Sequence, residues 1–227
     1  MKNWEKFTSV SSLIVAIAAV IVAITANGIA HRSYEIAYQT NLPVISAIST
    51  AHYDVAEDLM TEEIVVNNEG FPLTEFHCSA DAILEIGPFR NETYVPLGGY
   101  FGIVGDYTGS SKGLLASMSE EGNYSLFSSV RRDFWKEASK DESQDFIWLS
   151  NILILSVSYK DYTQTSWKRY YSVDSSGSNE ISAEYAWEIL HSAYANRELM
   201  ESEGLNCYMS ALNGTELWHW YKGKYLE

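Results

Sequence analysis

Cys78 and Cys207 are the only cysteines among 227 residues. Small disulfide scaffolds need several bridges, so that class is excluded, and no C-x-x-C pair is present for zinc or redox chemistry. An exported domain has at most this one bridge to make. The expectation is that it does not form and that Cys207 has an apolar, interior role.

Basic residues are scarce as well, with 15 Lys and Arg against 30 Asp and Glu. The first thirty residues hold Lys2, Lys6 and Glu5. From His31 onward 15 − 2 leaves 13 basic and 30 − 1 leaves 29 acidic residues, a net of −16. Such a surface repels phosphate backbones, so nucleic acid is not an expected partner, and it stands off an anionic leaflet. Nucleotide cradles are missing too. In Gly109-Ser110-Ser111-Lys112-Gly113 the lysine precedes the last glycine, so no P-loop forms, and no G-x-G-x-x-G follows a strand. No cofactor and no metal are expected. Internal repeats are absent.

What Phe7–Ala30 lacks is charge: 24 residues pass without one charged side chain. A helix needs about 20 apolar residues to cross a hydrocarbon core and satisfies its own backbone there. The stretch reads as a single transmembrane helix after a short tail, residues 1–6, with a juxtamembrane helix and linker over 31–42. A cleaved secretory signal is the rival, with Gly28-Ile29-Ala30 as the peptidase site, but the run exceeds the usual apolar length of such signals. Lys2 and Lys6 orient the tail toward the cytoplasm and the domain outward. Ser12, Ala16, Ala19, Ala23 and Ala26 recur at spacings of 4, 3, 4 and 3 along one helix stripe. Small residues let helix backbones approach in lipid, so the stripe is a candidate association surface for a protein partner or a second copy.

Beyond Pro43 the expectation is a mainly β, antiparallel, sandwich-like domain over 43–174, with a helix and hairpin over 175–227 packed on it. Val44–Ser49 and Glu62–Asn67 read as strands. Phe76–Ile86 alternates most clearly, with Cys78, Ala80, Ala82, Leu84 and Ile86 on one face. Tyr94–Val104 reads as a glycine-interrupted strand, Leu114–Ser119 as a short helix within a loop, and Ser129–Ser139 as a helix. Asn151–Tyr159 and Ser166–Val173 form a hairpin. Ser175–Asn179 reads as a linker before a helix capped by Ser182 and ended by Gly204, with Ala183, Ala186, Trp187, Leu190, Ala193 and Tyr194 on its packed side. Asn213-Gly214 suits a type I′ turn, predicting a terminal hairpin with Trp218 beside Met209 and Trp220 beside Cys207.

Three constellations carry chemistry. Gly109–Gly113 matches G-x-S-x-G, whose small flanks let a serine sit exposed on a strained strand-to-helix turn. That makes Ser111, with His191 or His219 as base, the basis of a membrane-tethered serine hydrolase as the alternative function. Glu188-x-x-His191 and Glu216-x-x-His219 have the spacing of carboxylate-bridged metal sites, but the further glutamates of a bundle are missing. His52, Asp54, Glu57 and Asp58 cluster without EF-hand glycine spacing. Sequons at Asn91, Asn123 and Asn213 count only in a host that glycosylates. Trp148, Trp167, Trp187, Trp218 and Trp220 concentrate large aromatics in the second half, serving core or binding surface. The leading reading is a non-enzymatic, single-pass membrane protein whose acidic β-rich domain is an interaction or accessory module.

Overall fold

The computed structural model describes residues 20–34, 36–37, 41–87, 92–102, 106–141 and 147–226. It divides into two compact units, Met1–Leu42 and Pro43–Glu227. In the first, residues 20–34 form a helix (α1) whose Val20, Ile21, Ile24 and Ile29 are all exposed. Thr25 turns its hydroxyl back to donate to the Ile21 carbonyl, so even this polar group is satisfied inside the helix. Among the described residues no helix is long and apolar enough to cross a membrane. Residues 7–19 of the expected span, with Ser12, Ala16 and Ala19, lie outside the described residues, as does the tail.

The second unit is mainly antiparallel β. Strands β1 (Ile45–Asp54), β2 (Leu59–Asn68), β5 (Asp106–Tyr107) and β6 (Gly113–Ser119) form one sheet in the order β1-β2-β6-β5. Strands β3 (Thr74–Gly87), β4 (Thr93–Pro96), β7 (Trp148–Lys160), β8 (Ser166–Asp174) and β9 (Gly177–Ile181) form the other, in the order β4-β3-β7-β8-β9. Ile64 and Val66 of the first sheet share a core with Leu84, Ile86, Leu155 and Val157 of the second. The expected alternation of β3 holds, with Leu84 and Ile86 buried on the core side. Ile83 on its other side is buried too, because α3 (Ala183–Ser202) lays Ala186, Ile189 and Ala193 over it.

Four expectations are corrected. Leu114–Ser119 is not helix but part of β6, paired to β2 through Ile64↔Met118 and Val66↔Ala116. Leu, Ala and Met favour helix weakly, and the ladders to both neighbours outweigh that preference. Tyr94–Val104 keeps only three strand residues, Tyr94 to Pro96, before the chain turns away; its last two residues lie outside the described ones. Ser175–Asn179 is not a linker, since Gly177 (φ 139°) closes a tight turn between β8 and β9 in which Asp174 accepts from the Ser176 N–H. The packed side of α3 is the expected one only in part: Ala186 and Ala193 are buried, but Ile189 is buried with them while Trp187 is 63% exposed. Ser182 does cap this helix, accepting from the Tyr185 N–H at 3.1 Å, and Gly204 ends it at φ 86°.

The largest correction is the C-terminus. No hairpin forms around Asn213-Gly214; Gly214–Tyr225 is helix α4. Asn213 is its N-cap, with Oδ1 accepting from the Thr215 and Glu216 N–H groups. Trp218 therefore packs edge-to-face on Phe134 of α2 (Asn123–Ala138), at 5.3 Å, from a helix and not from a hairpin strand. Helix α2 itself starts six residues earlier than expected, after Gly122 at φ 68°.

Gly214 does not sit at positive φ. Its requirement is steric: a Cβ there would stand 2.1 Å from the Val130 carbonyl oxygen and 2.7 Å from the Phe134 nitrogen. The first turn of α4 rests directly on the backbone of α2. Gly214→Ala should therefore lower the unfolding free energy by roughly 2–3 kcal/mol, as overpacking does. Gly223→Ala on the same helix meets nothing within 4 Å and should raise it by up to about 1 kcal/mol. Paired denaturant titrations check the opposite signs.

The β7–β8 loop is organised by Asp161, which is 1% exposed. Its carboxylate accepts from the N–H groups of Thr163 and Thr165, the Thr163 hydroxyl and the Trp167 indole N–H. Burial pushes this carboxyl up, but the hydrogen bonds, Thr163's hydroxyl foremost, outweigh it and hold it down at about 2. A folded value below the unfolded one, about 3.9, stabilises the fold above pH 4. That contribution, on the order of 2 kcal/mol, should be lost as pH falls from about 4 to 2. Asp161→Asn should flatten this part of the stability–pH curve.

Candidate functional site: an open seam beside β3

Strand β3 outruns its neighbour β4. Ala82 is joined on that side, its carbonyl accepting from Leu97 N–H at 2.8 Å, so the peptide groups of Cys78 and Ala80 face the same way. The chain then leaves the sheet. Gly98 is held by the opposite neighbour, donating to the Cys207 carbonyl at 2.9 Å and accepting from Met209 N–H at 2.8 Å. Gly99 takes φ 72°, and Tyr100 N–H closes the turn on the Leu97 carbonyl.

Cys78 is reached from the other sheet. The Tyr107 hydroxyl of β5 donates to the Cys78 carbonyl at 2.8 Å and accepts from its N–H at 3.2 Å. One phenol thus latches the seam between the sheets. Among the described residues the N–H and C=O of Ala80 have no hydrogen-bond partner.

A cleft opens on each side of the latch. The first, about 530 Å³, lies between Leu73, Phe76 and His77 on one wall and Tyr107, Ser110 and Ser111 on the other. The second, about 360 Å³, runs along Cys78–Ala82 and is closed by Gly98–Gly102, Met118, Tyr194, Arg197 and Tyr208. Alternation along β3 sorts its walls. Ala80 faces inward with Tyr100, Phe101 and Met118, which are at most 6% exposed, while Ser79 and Asp81 face outward with the α3 side chains.

The outer rim is polar and internally matched. Tyr194 donates to Asp81 at 2.7 Å; burial first and that bond second push its hydroxyl up to about 12, so it remains a donor at neutral pH. Arg197 bonds Glu201 at 2.6 Å and lies 5.3 Å over the Tyr208 ring. The inner end is anchored by a buried network. Ser49 and Tyr100 hydroxyls both donate to the Glu62 carboxylate, and burial, reinforced by that carboxylate, raises the Tyr100 pKa strongly.

The serine motif lies in the first cleft. Ser111 is held through its carbonyl, which accepts from Leu73 N–H and Asn68 Nδ2. The turn leads into strand β6 and not into a helix, so it lacks the strand-to-helix elbow. The structure places His77, which sequence reasoning passed over, on the same cleft; its position beside the bulge in β3 offered no motif. His191 sits on α3, stacked on Trp187 at 4.5 Å, and shares no described cleft with Ser111.

Glu216 and His219, expected on opposite faces of a strand, are three apart on helix α4 and line a hollow with Glu203. Among the described residues no three His, Cys, Asp or Glu side chains are arranged to hold a metal. His52 instead contacts Glu63 at 3.2 Å, and Asp54 accepts from the Ala56 N–H. Asn123, one of the three sequon asparagines, is fully buried and closed to glycosylation; Asn91 lies outside the described residues. Cys78 and Cys207 are both free, as expected, and burial pushes the Cys207 thiol up to about 11.

Tyr107→Phe removes the latch alone. Stability should fall by only about 1–2 kcal/mol, the scale of the two hydrogen bonds this hydroxyl makes at a half-exposed site. Amide exchange at Cys78 should quicken at least tenfold while Leu84 and Ile86 stay protected. Exchange read by mass spectrometry distinguishes this from a general loosening.

Comparison of the chain with family models, with curated proteins and with solved structures finds no match.

Proposed function

We propose that this chain is a single-pass membrane protein whose acidic β-sandwich is a non-enzymatic interaction module. The observation that carries the reading is the unpaired edge of β3 set inside a cleft. Proteins ordinarily shorten, cover or charge such edges, because bare peptide groups recruit other chains. Here β5 has two residues, β4 has four and leans on the 207–209 segment, and Ser178 accepts the Ala47 N–H where β9 meets β1. The peptide of Ala80 has no partner among the described residues, and it lines the cleft. The uncharged run over 7–30, continuing into the uncovered apolar side chains of α1, supports a lipid environment for the first unit. The separate compactness of Pro43–Glu227 supports a domain that hangs from it.

Two measurements test the reading. Alkaline carbonate extraction should leave the full chain in the membrane pellet and release a chain lacking residues 1–42. A benzophenone side chain placed at Ser79, in the cleft, should give discrete crosslinked adducts in native membranes, while one at Arg131 on α2 gives none. Extraction of the full chain, or equal labelling at both positions, overturns the proposal.

A further inference from the structure

We infer that the cleft beside Ala80 takes an extended polypeptide segment, which adds to β3 as a short antiparallel strand and inserts one apolar side chain between the two sheets. The inference rests on the interaction-module reading and names its ligand class. Three observations converge on it.

First, the unmet groups are those of a strand. The N–H and C=O of Ala80 face the cleft side by side, so one residue of an antiparallel partner satisfies both with its own C=O and N–H. A lipid chain or an aromatic ligand would cover them without bonding either, leaving the penalty of an unpaired buried amide. Second, the slot is bounded. Tyr107 occupies Cys78 on one side and Leu97 occupies the Ala82 carbonyl on the other, so only one such residue pair fits. A second copy pairing edge to edge along β3 would need a longer run.

Third, the side-chain environment follows from the pleat. A residue paired with Ala80 shares its face and so points inward, toward Phe101, Met118 and the Tyr100 ring. Those walls are apolar, which selects an aliphatic or small aromatic anchor. Its two flanking residues point outward, to Asp81, Tyr194, Arg197 and Tyr208. Asp81 and Arg197 are already matched within the domain, so they tolerate polar flanks without demanding one charge. The net charge of −16 from His31 onward favours, through its long-range field, segments that are not acidic.

The test uses the full chain in nanodiscs and a pool of random heptapeptides with an aliphatic central residue, blocked at both ends. Binders selected from the pool should slow amide exchange across Phe76–Ala82 at least tenfold. N-methylation of their central residue removes the donor to the Ala80 carbonyl and should weaken them at least tenfold. Ala80→Pro removes the unbonded N–H and puts the ring in its place, and Met118→Trp fills the anchor space; each should abolish binding. The N-methylated peptides need no variant, so they decide the matter even if a substitution disturbs folding.

Equal binding of methylated and unmethylated peptides overturns strand addition, as does a pool that yields no protection of Ala80. Protection that appears without peptide and grows with protein concentration overturns it in favour of a second copy. If the Ser79 crosslinks form while N-methylation has no effect, the interaction module stands and the strand mode fails. If the crosslinks are also absent, both fall.

Discussion

Asn123 is fully buried, and its side chain joins three parts of the domain that are remote in sequence. Its Nδ2 donates to the carbonyls of Glu62 on β2 and Tyr100 beyond β4, and its Oδ1 accepts from the Glu62 N–H. The same residue opens helix α2. A buried amide with all these bonds made is costly to displace, because each broken one leaves an unpaired polar group in the core. The seam depends on this arrangement. Tyr100, tied to Asn123 through its backbone and to Glu62 through its hydroxyl, fixes the point to which the chain must go after β4. To reach it the chain turns at Gly98-Gly99 and abandons β3 at Ala82. The bare edge at Ala80 is thus a consequence of satisfying a polar group elsewhere.

Where a side chain's surroundings are set by its own strand, the sequence was readable. β3 and β8 follow from period-two alternation, β1, β2 and β7 from short strand-like or apolar runs, and Ser182 and Gly204 mark the ends of α3 by capping chemistry alone. The failures share a cause: residues whose local preference serves two structures. Asn-Gly suits a type I′ turn, but Asn is equally a helix cap. The deciding signal at the C-terminus was present, since Glu216 stands three residues after Asn213 and Gly214, Leu217, Trp218 and Tyr221 recur with helical period. The close approach to Val130 that makes Gly214 necessary was not legible, because it depends on where another helix lies. Leu114–Ser119 failed in the other direction, with six helix-tolerant residues made into a strand by partners far along the chain.

The cleft itself was the least legible part, for a physical reason. No residue type marks an unpaired peptide group. Ala80 is an ordinary inward-facing alanine of a strand that was correctly anticipated, and only the length mismatch of β3 and β4 exposes its backbone. The motif that looked chemical, Gly109–Gly113, lies one latch away, and its glycines serve turns at positive φ before and within β6. Tyr107 gave no sequence signal either, although its hydroxyl bonds both peptide groups of Cys78 at the β3 edge.

An exposed edge invites sheet-to-sheet growth. Three features of the seam oppose that growth without closing the edge. The latch at Cys78 and the Leu97 bond at Ala82 leave one residue between them, too short to nucleate a sheet. Tyr194 and Tyr208 line the cleft beside the edge, where a second flat sheet would have to displace them. Asp81 and Arg197 stand at the mouth, each already bonded within the domain, and a second sheet would have to desolvate both. What passes these constraints is narrow: a single extended strand, entering end-on or from the side, with one residue in register with Ala80. The same geometry that guards this slot against a second sheet therefore defines the shape that fits its open peptide group.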